Sequence, residues 1–148
     1  MRRVLIVALP LLLACEAPDA ADAALSQADT DAINGVFTAM SQAATGGQYR
    51  ELGRFFTEDG VWMPAGQPAV VGRTAVQSWF TIAATDWRHQ ILEIEGQGGL
   101  AFVRASYSLT LAIPNFAPVS GKVLAVLRRQ ADGSWLVARY AFSCDSTC

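Results

Sequence analysis

The sequence predicts an α+β domain whose helices pack on one face of an antiparallel sheet. Three observations carry that prediction. Apolar residues recur at helical spacing only before residue 85. Four segments rich in β-branched and aromatic residues follow, at 88–95, 100–113, 119–130 and 134–143. The turns between those segments are short, which makes successive strands antiparallel neighbours.

The 148-residue chain has room for one domain and an N-terminal appendage. Met1-Arg2-Arg3 is basic and Val4 to Ala14 is apolar. That run falls short of the roughly 20 apolar residues a membrane-spanning helix needs. It ends in Leu12-Leu13-Ala14-Cys15, which resembles the lipobox of bacterial lipoproteins. The resemblance implies a leader over 1–14 and lipid on Cys15. The mature protein would then be anchored in the cell envelope and face the periplasm, with Glu16 leaving inner or outer membrane undecided. The other reading is a plain secretory leader cut near Ala14 or a little later. Loss of Arg2 and Arg3 leaves nine basic against thirteen acidic residues. That balance argues against nucleic acid as a partner and against a polybasic membrane patch.

Residues 15–28 are Ala- and Asp-rich with scarcely a bulky apolar side chain, the composition of a flexible tether. The domain is expected over 29–148. Its first helix is signalled by Asp29 or Thr30 as N-cap, by Ile33, Val36, Phe37 and Met40 at helical spacing, and by Gly46-Gly47 as the stop. A second helix would bury Tyr49, Leu52, Phe55 and Phe56 and end at Thr57-Glu-Asp-Gly60. Residues 59–80 then read as a short strand at 61–63, a Pro/Gly turn at 64–68, a second short strand at 69–71 and a third helix from Thr74. That helix would present Val76, Trp79, Phe80 and Ala83, and the stretch would form the mouth of a pocket. In the third long strand segment from the C-terminus, Val103, Ala105, Tyr107, Leu109 and Leu111 share one face, while Arg104, Ser106, Ser108 and Thr110 share the other. Gly96-Gln-Gly-Gly99 joins strand to strand, so it reads as a hairpin turn rather than a phosphate loop.

The order of elements, together with Gly47-Gln48, Phe56-Thr-Glu-Asp-Gly-Val61, Pro64-Ala-Gly-Gln-Pro68, Val71-Gly-Arg73 and Asp132-Gly-Ser-Trp135, resembles the nuclear transport factor 2-like superfamily. Within it the similarity is to the SnoaL-like polyketide-cyclase and ketosteroid-isomerase group. The resemblance implies a cone: a curved antiparallel sheet wrapped around three N-terminal helices, hollow and apolar at its wide end. It also implies a homodimer through the outer sheet face. The isomerase general base would fall at Met63, the oxyanion-hole acid at Ala125, and the phenol donor near Ala39 or Met40. None of these side chains can move or donate the protons of enolisation, so that activity is not expected.

Phe37, Met40, Trp62, Met63, Trp79, Phe80, Tyr107 and Phe142 are candidate pocket residues, since adaptable apolar pockets use methionine and aromatics. Ala125 and Arg129 join them, Arg129 because an inward guanidinium needs an anion, either a ligand or a carboxylate such as Glu93; at the solvated end of its strand it would need none. His89 is a candidate base from its neutral-range titration, although the start of a strand also suits a solvated or capping role. Asp59, the other weak catalytic candidate, sits where a turn carboxylate commonly accepts backbone N–H groups. Cys144 and Cys148 can pair in an oxidising compartment. With His89 the sole histidine, no metal site is expected, and no cofactor motif is present. Three functions follow: an apolar ligand-binding domain, a cyclase-, isomerase- or dehydratase-type enzyme using His89 and Asp59, or an assembly module pairing through the sheet.

Overall fold

The computed structural model describes residues 23–145. The leader, Cys15 with its expected lipid, most of the tether, and Cys148 lie outside the described residues. Helix α1 (Gln27–Thr45) buries Ile33, Phe37, Met40 and Ala44, the stripe its spacing predicts. Its start differs from the expectation. Ser26 is the N-cap, and Asp29 is the third helical residue of a capping box: Ser26 Oγ accepts from Asp29 N at 3.2 Å, and Asp29 Oδ2 accepts from Ser26 N at 3.1 Å. The last tether residues are therefore docked, with Ala24 bridged to Gln97 and Leu25 packed on the core. The helix ends at Gly46, as expected.

Tyr49–Phe55 forms a 3-10 helix rather than an α-helix, and the turn expected at 57–60 lies inside strand β1 (Phe56–Met63). The reason is a register shift between Phe56 and Val61 that lets the strand bend while keeping its partner. Strand β2 (Val70–Val71) hairpins onto β1, and helix α2 (Arg73–Trp79) follows. Gly72, at φ 93°, makes the turn into α2, a conformation that side chains rarely adopt. Then come β3 (Ala84–Gln97), β4 (Leu100–Leu111), β5 (Val119–Arg129) and β6 (Trp135–Cys144), joined as an antiparallel meander. The sheet order is β2-β1-β6-β5-β4-β3. The β1–β6 pairing is parallel, which short turns could not foretell because α2 and four strands intervene. The architecture is the expected α+β arrangement: a curved sheet with the helices toward the N-terminal side.

Two bulges in β3, between Ala84 and Asp86 and between Ile91 and Glu93, strengthen the curvature. The inner face carries Val103, Ala105, Tyr107, Val123, Ala125 and Leu127, all buried under the helices. The opposite face leaves Leu92 and Leu124 about half exposed, at 49% and 55%. Asp29 ties the start of α1 to the β5–β6 hairpin. It pairs with Arg129 and accepts from Trp135 Nε1 at 3.3 Å, while Arg129 stacks over the Trp135 ring at 5.2 Å.

Gly121 sets the spacing of β4, β5 and β6 at one point. A Cβ there would lie 1.8 Å from the Ser143 carbonyl oxygen and 2.8 Å from the Tyr107 ring. Neither can yield cheaply, since one is backbone and the other is packed. Gly121→Ala should destabilise the domain by about 3 kcal/mol or more. The expected readout is a lowered urea midpoint with an unchanged m-value.

Candidate functional site

Strand alternation brings one residue in two to the inner face, and at the wide end those residues stop short of filling the space. A cavity of about 70 Å³ remains. Strand β6 contributes Tyr140 and Phe142, β1 contributes Trp62, and β4 contributes Tyr107, Leu109 and Leu111. Ala84 and Trp87 on β3 and Phe80 and Ile82 from the loop after α2 complete the rim, with Ala44 and Leu52 at the helical side. Ile82 is 42% exposed, which places the mouth at this loop and the end of β4. The wall is a set of interlocked rings. Trp62 stacks on Tyr140 at 4.7 Å, Phe80 meets Trp62 edge-on at 5.0 Å, and Tyr107 meets Phe142 edge-on at 5.6 Å. No lining residue is charged.

Polar groups of residues in or beside this wall are buried at three places. The Tyr107 hydroxyl lies 3.3 Å from Cys144 Sγ. The Trp62 indole N–H is buried without an acceptor among the described residues. The Tyr140 hydroxyl lies 2.7 Å from His89 Nε2, and His89 Nδ1 lies 3.1 Å from Ser41 Oγ. His89 is partly buried, its ring met edge-on by Phe37 at 5.2 Å and at a tilt by Trp87 at 4.9 Å. Burial pulls its pKa from 6.5 down to about 4, so the ring is neutral at physiological pH. Burial also holds the Tyr140 phenol protonated, well above its ordinary value of 10. Beyond Ser41 the chain of polar groups reaches a shallow outer groove between α1 and β3, which Asn34, Thr38 and Gln42 also line.

Of the residues expected in the pocket, Trp62, Phe80, Tyr107 and Phe142 line it. Met63 does not: it follows Trp62 in an extended strand, so the two cannot share a face, and it pairs with Ala141 while Trp62 pairs with Tyr140. Phe37, Met40 and Ala125 are fully buried between α1 and the sheet rather than on the wall. Trp79 is 41% exposed at the end of α2. Arg129 finds its anion in Asp29, while Glu93 pairs with Arg104 at 2.6 Å. Asp59 accepts from Thr57 Oγ1 at 2.8 Å and Arg128 Nη1 at 2.9 Å, and both lower its pKa. The structure thus commits Asp59 to groups it does not share with His89, and the pair does not form one site. His89 itself is partly buried, between Phe37 and Trp87 on one side and the outer groove on the other. Cys144 is disulfide-bonded, and Cys148, its expected partner, lies outside the described residues.

Sequence reasoning missed Tyr140, Trp87 and the Ser41–His89–Tyr140 chain. A usable signal existed for two of them. Tyr140 shares its strand parity with Phe142, and Trp87 with His89, so picking either member implied the other.

The depressed titration of His89 has a measurable consequence. The unfolded chain takes up the histidine proton near pH 6.5 and the folded chain only near 4. Stability from the neutral ring is complete above pH 6.5 and falls as pH drops through that window, by on the order of 3 kcal/mol in total. With a single histidine in the chain, denaturation across the upper part of the window isolates it from the carboxylates. His89→Gln should flatten that slope.

Comparison with known proteins agrees with this architecture. A SnoaL-like domain model matches residues 37–139. No curated protein matches the chain. Among solved structures, a ketosteroid isomerase-like protein from Erwinia carotovora atroseptica is 29% identical, covering 80% of this chain and 94% of its own at a TM-score of 0.63. A nuclear transport factor 2-like protein with a cystatin-like fold from Novosphingobium aromaticivorans is 17% identical, covering 82% and 84% at a TM-score of 0.66. A protein from Catenulispora acidiphila in complex with S-DNPA is 20% identical, covering 81% and 96% at a TM-score of 0.61. With more than two thirds of the chain inside the matched domain, and an aromatic cavity at the wide end of the same curved sheet, this protein belongs to the SnoaL-like domain family.

Proposed function

We propose that the domain holds a small, predominantly apolar molecule in the aromatic cavity, as part of a cell-envelope protein anchored through lipid on Cys15. The observation that carries the binding reading is the wall itself. Aromatic and aliphatic side chains surround the space, no charge enters it, and the mouth is greasy at Ile82 and Leu111. Such a surface gains by exchanging water for an apolar ligand. At about 70 Å³ the hollow encloses only a compact head group, so a larger ligand extends past the mouth. The structural neighbour in complex with S-DNPA supports small-molecule binding on this fold. The anchor rests on Leu12-Leu13-Ala14-Cys15, behind a basic start and an apolar run.

Two experiments test the two halves. A ligand present at about a hundred times its Kd should stabilise the protein by about 2.7 kcal/mol and raise Tm by roughly 10 °C. Ala84→Leu, which fills part of the cavity, should remove most of that rise. A broad screen of apolar compounds that leaves Tm unmoved would sink the reading. Separately, Cys15→Ser should shift the protein from the membrane fraction to the soluble periplasmic fraction; unchanged partition would refute the anchor.

A further inference from the structure

The mouth of the cavity carries an uncharged rim. Residues 74–85 and 105–121 contain no Asp, Glu, Lys or Arg. The fold lays the ends of these stretches side by side, since Ala84 pairs with Leu111 and Ala112 N donates to the Ala83 carbonyl at 2.8 Å. Ile82 and Ile113 flank that junction and are exposed, as is Trp79, the neighbour of Phe80 in the cavity wall. Ile113 opens a turn, closed by Phe116 N donating to its carbonyl at 3.1 Å, with Pro114 and Asn115 exposed between them. A tryptophan and two isoleucines around one uncharged opening are the kind of patch that interaction surfaces carry. The exposed leucines of the outer sheet face are placed differently. Leu92 and Leu124 share a groove with Arg104 and Lys122, which pair with Glu93 and Asp145.

The chain outside the domain says what such a rim can meet. Ala24 bridges to Gln97, and Gly98 N donates to the Ala23 carbonyl at 2.8 Å, so the tether joins the domain at the end of β3 opposite the mouth. Cys15 and Ala23 are eight residue steps apart, a reach of at most about 27 Å. The 14 residues of β3 cover about 40 Å. A domain standing upright on its mouth would hold Ala23 beyond that reach. One lying over, with β3 inclined more than about 45° from the bilayer normal, brings the rim down within it. We propose that Trp79, Ile82 and Ile113 rest in the headgroup zone of the bilayer that holds the Cys15 lipid, with the domain lying over and its cavity opening toward the acyl chains. Tryptophan favours that zone, and a rim without charges gives up little hydration to enter it. Three part-exposed side chains are too few to hold a protein on a membrane, where even one acyl chain is a marginal anchor. A short linker to a lipid makes their contact intramolecular, at an effective concentration on the order of millimolar. The inference rests on the proposed lipid on Cys15, and it gives the proposed apolar ligand a path from the acyl chains to the cavity that avoids water.

Tryptophan quenching on vesicles tests it. The protein as purified from bacterial membranes is reconstituted into phosphatidylcholine vesicles, and flotation reads whether it is held there. Its emission is then quenched by brominated acyl chains inside the bilayer and, separately, by iodide in the water. The difference between the unmodified chain and Trp79→Phe isolates Trp79 from Trp62, Trp87 and Trp135, which are buried. Brominated lipid should quench the Trp79 emission and iodide should not reach it. Ile113→Asp, which puts a charge on the rim outside the cavity lining, should abolish the bromolipid quenching, open Trp79 to iodide and leave Tm within about 3 °C. That comparison stands even where Trp79→Phe does not fold. Protein that floats with the vesicles while its Trp79 escapes brominated lipid, or whose quenching is the same in Ile113→Asp, overturns the inference and leaves the anchor intact. Shielding from iodide without bromolipid quenching also overturns it, because a second copy would then cover the rim. Protein that does not float takes the anchor and the inference down together.

Discussion

The contact between Tyr140 and His89 closes the fold. Tyr140 is on β6 and His89 on β3, with β5 and β4 between them in the sheet. Three strand spacings amount to about 14 Å across a flat sheet, and yet the hydroxyl and Nε2 are 2.7 Å apart. Only a strongly curled sheet brings them together. The bond is therefore both a product of the curvature and a clamp upon it, and α1 lies over it with Phe37 against both rings.

That curl has local causes. The two bulges in β3 add twist where the sheet must bend most, and the register shift in β1 does the same at the opposite side. Gly121 lets the Tyr107 ring lie against β5, which a side chain there would push away. At the narrow end Asp29 gathers Ser26, Trp135 and Arg129, fixing the start of the helix over the last hairpin. The wide end has no such filling, because its side chains are rings that meet edge to face and leave a gap among them.

The cavity is apolar in its wall but not isolated from polar chemistry. A neutral imidazole stands one hydrogen bond behind the phenol, and a serine stands one behind the imidazole. Desolvation keeps that imidazole uncharged. The arrangement differs from the paired His89 and Asp59 that residue types suggest, since Asp59 is taken up by Thr57 and two arginines, Arg128 and Arg139. A carboxylate among arginines is a latch between β1 and its neighbours rather than a base for the cavity.

By itself the sequence determined the α+β class, the meander of long strands, the helical stripe from Ile33 to Met40 and four of the six cavity aromatics. These follow from periodicity and turn chemistry, which act over a few residues. It also carried, in the domain-wide order of its motifs, the resemblance to the SnoaL-like group that the match over residues 37–139 establishes. Tertiary structure alone decided that β1 runs parallel beside β6, that Trp62 rather than Met63 faces inward, that Arg129 meets Asp29 a hundred residues away, and that His89 meets Tyr140. Each of these depends on register and curvature, which are settled when distant strands pack. A one-residue slip reverses every side chain, and no local pattern records where a sheet will curl upon itself.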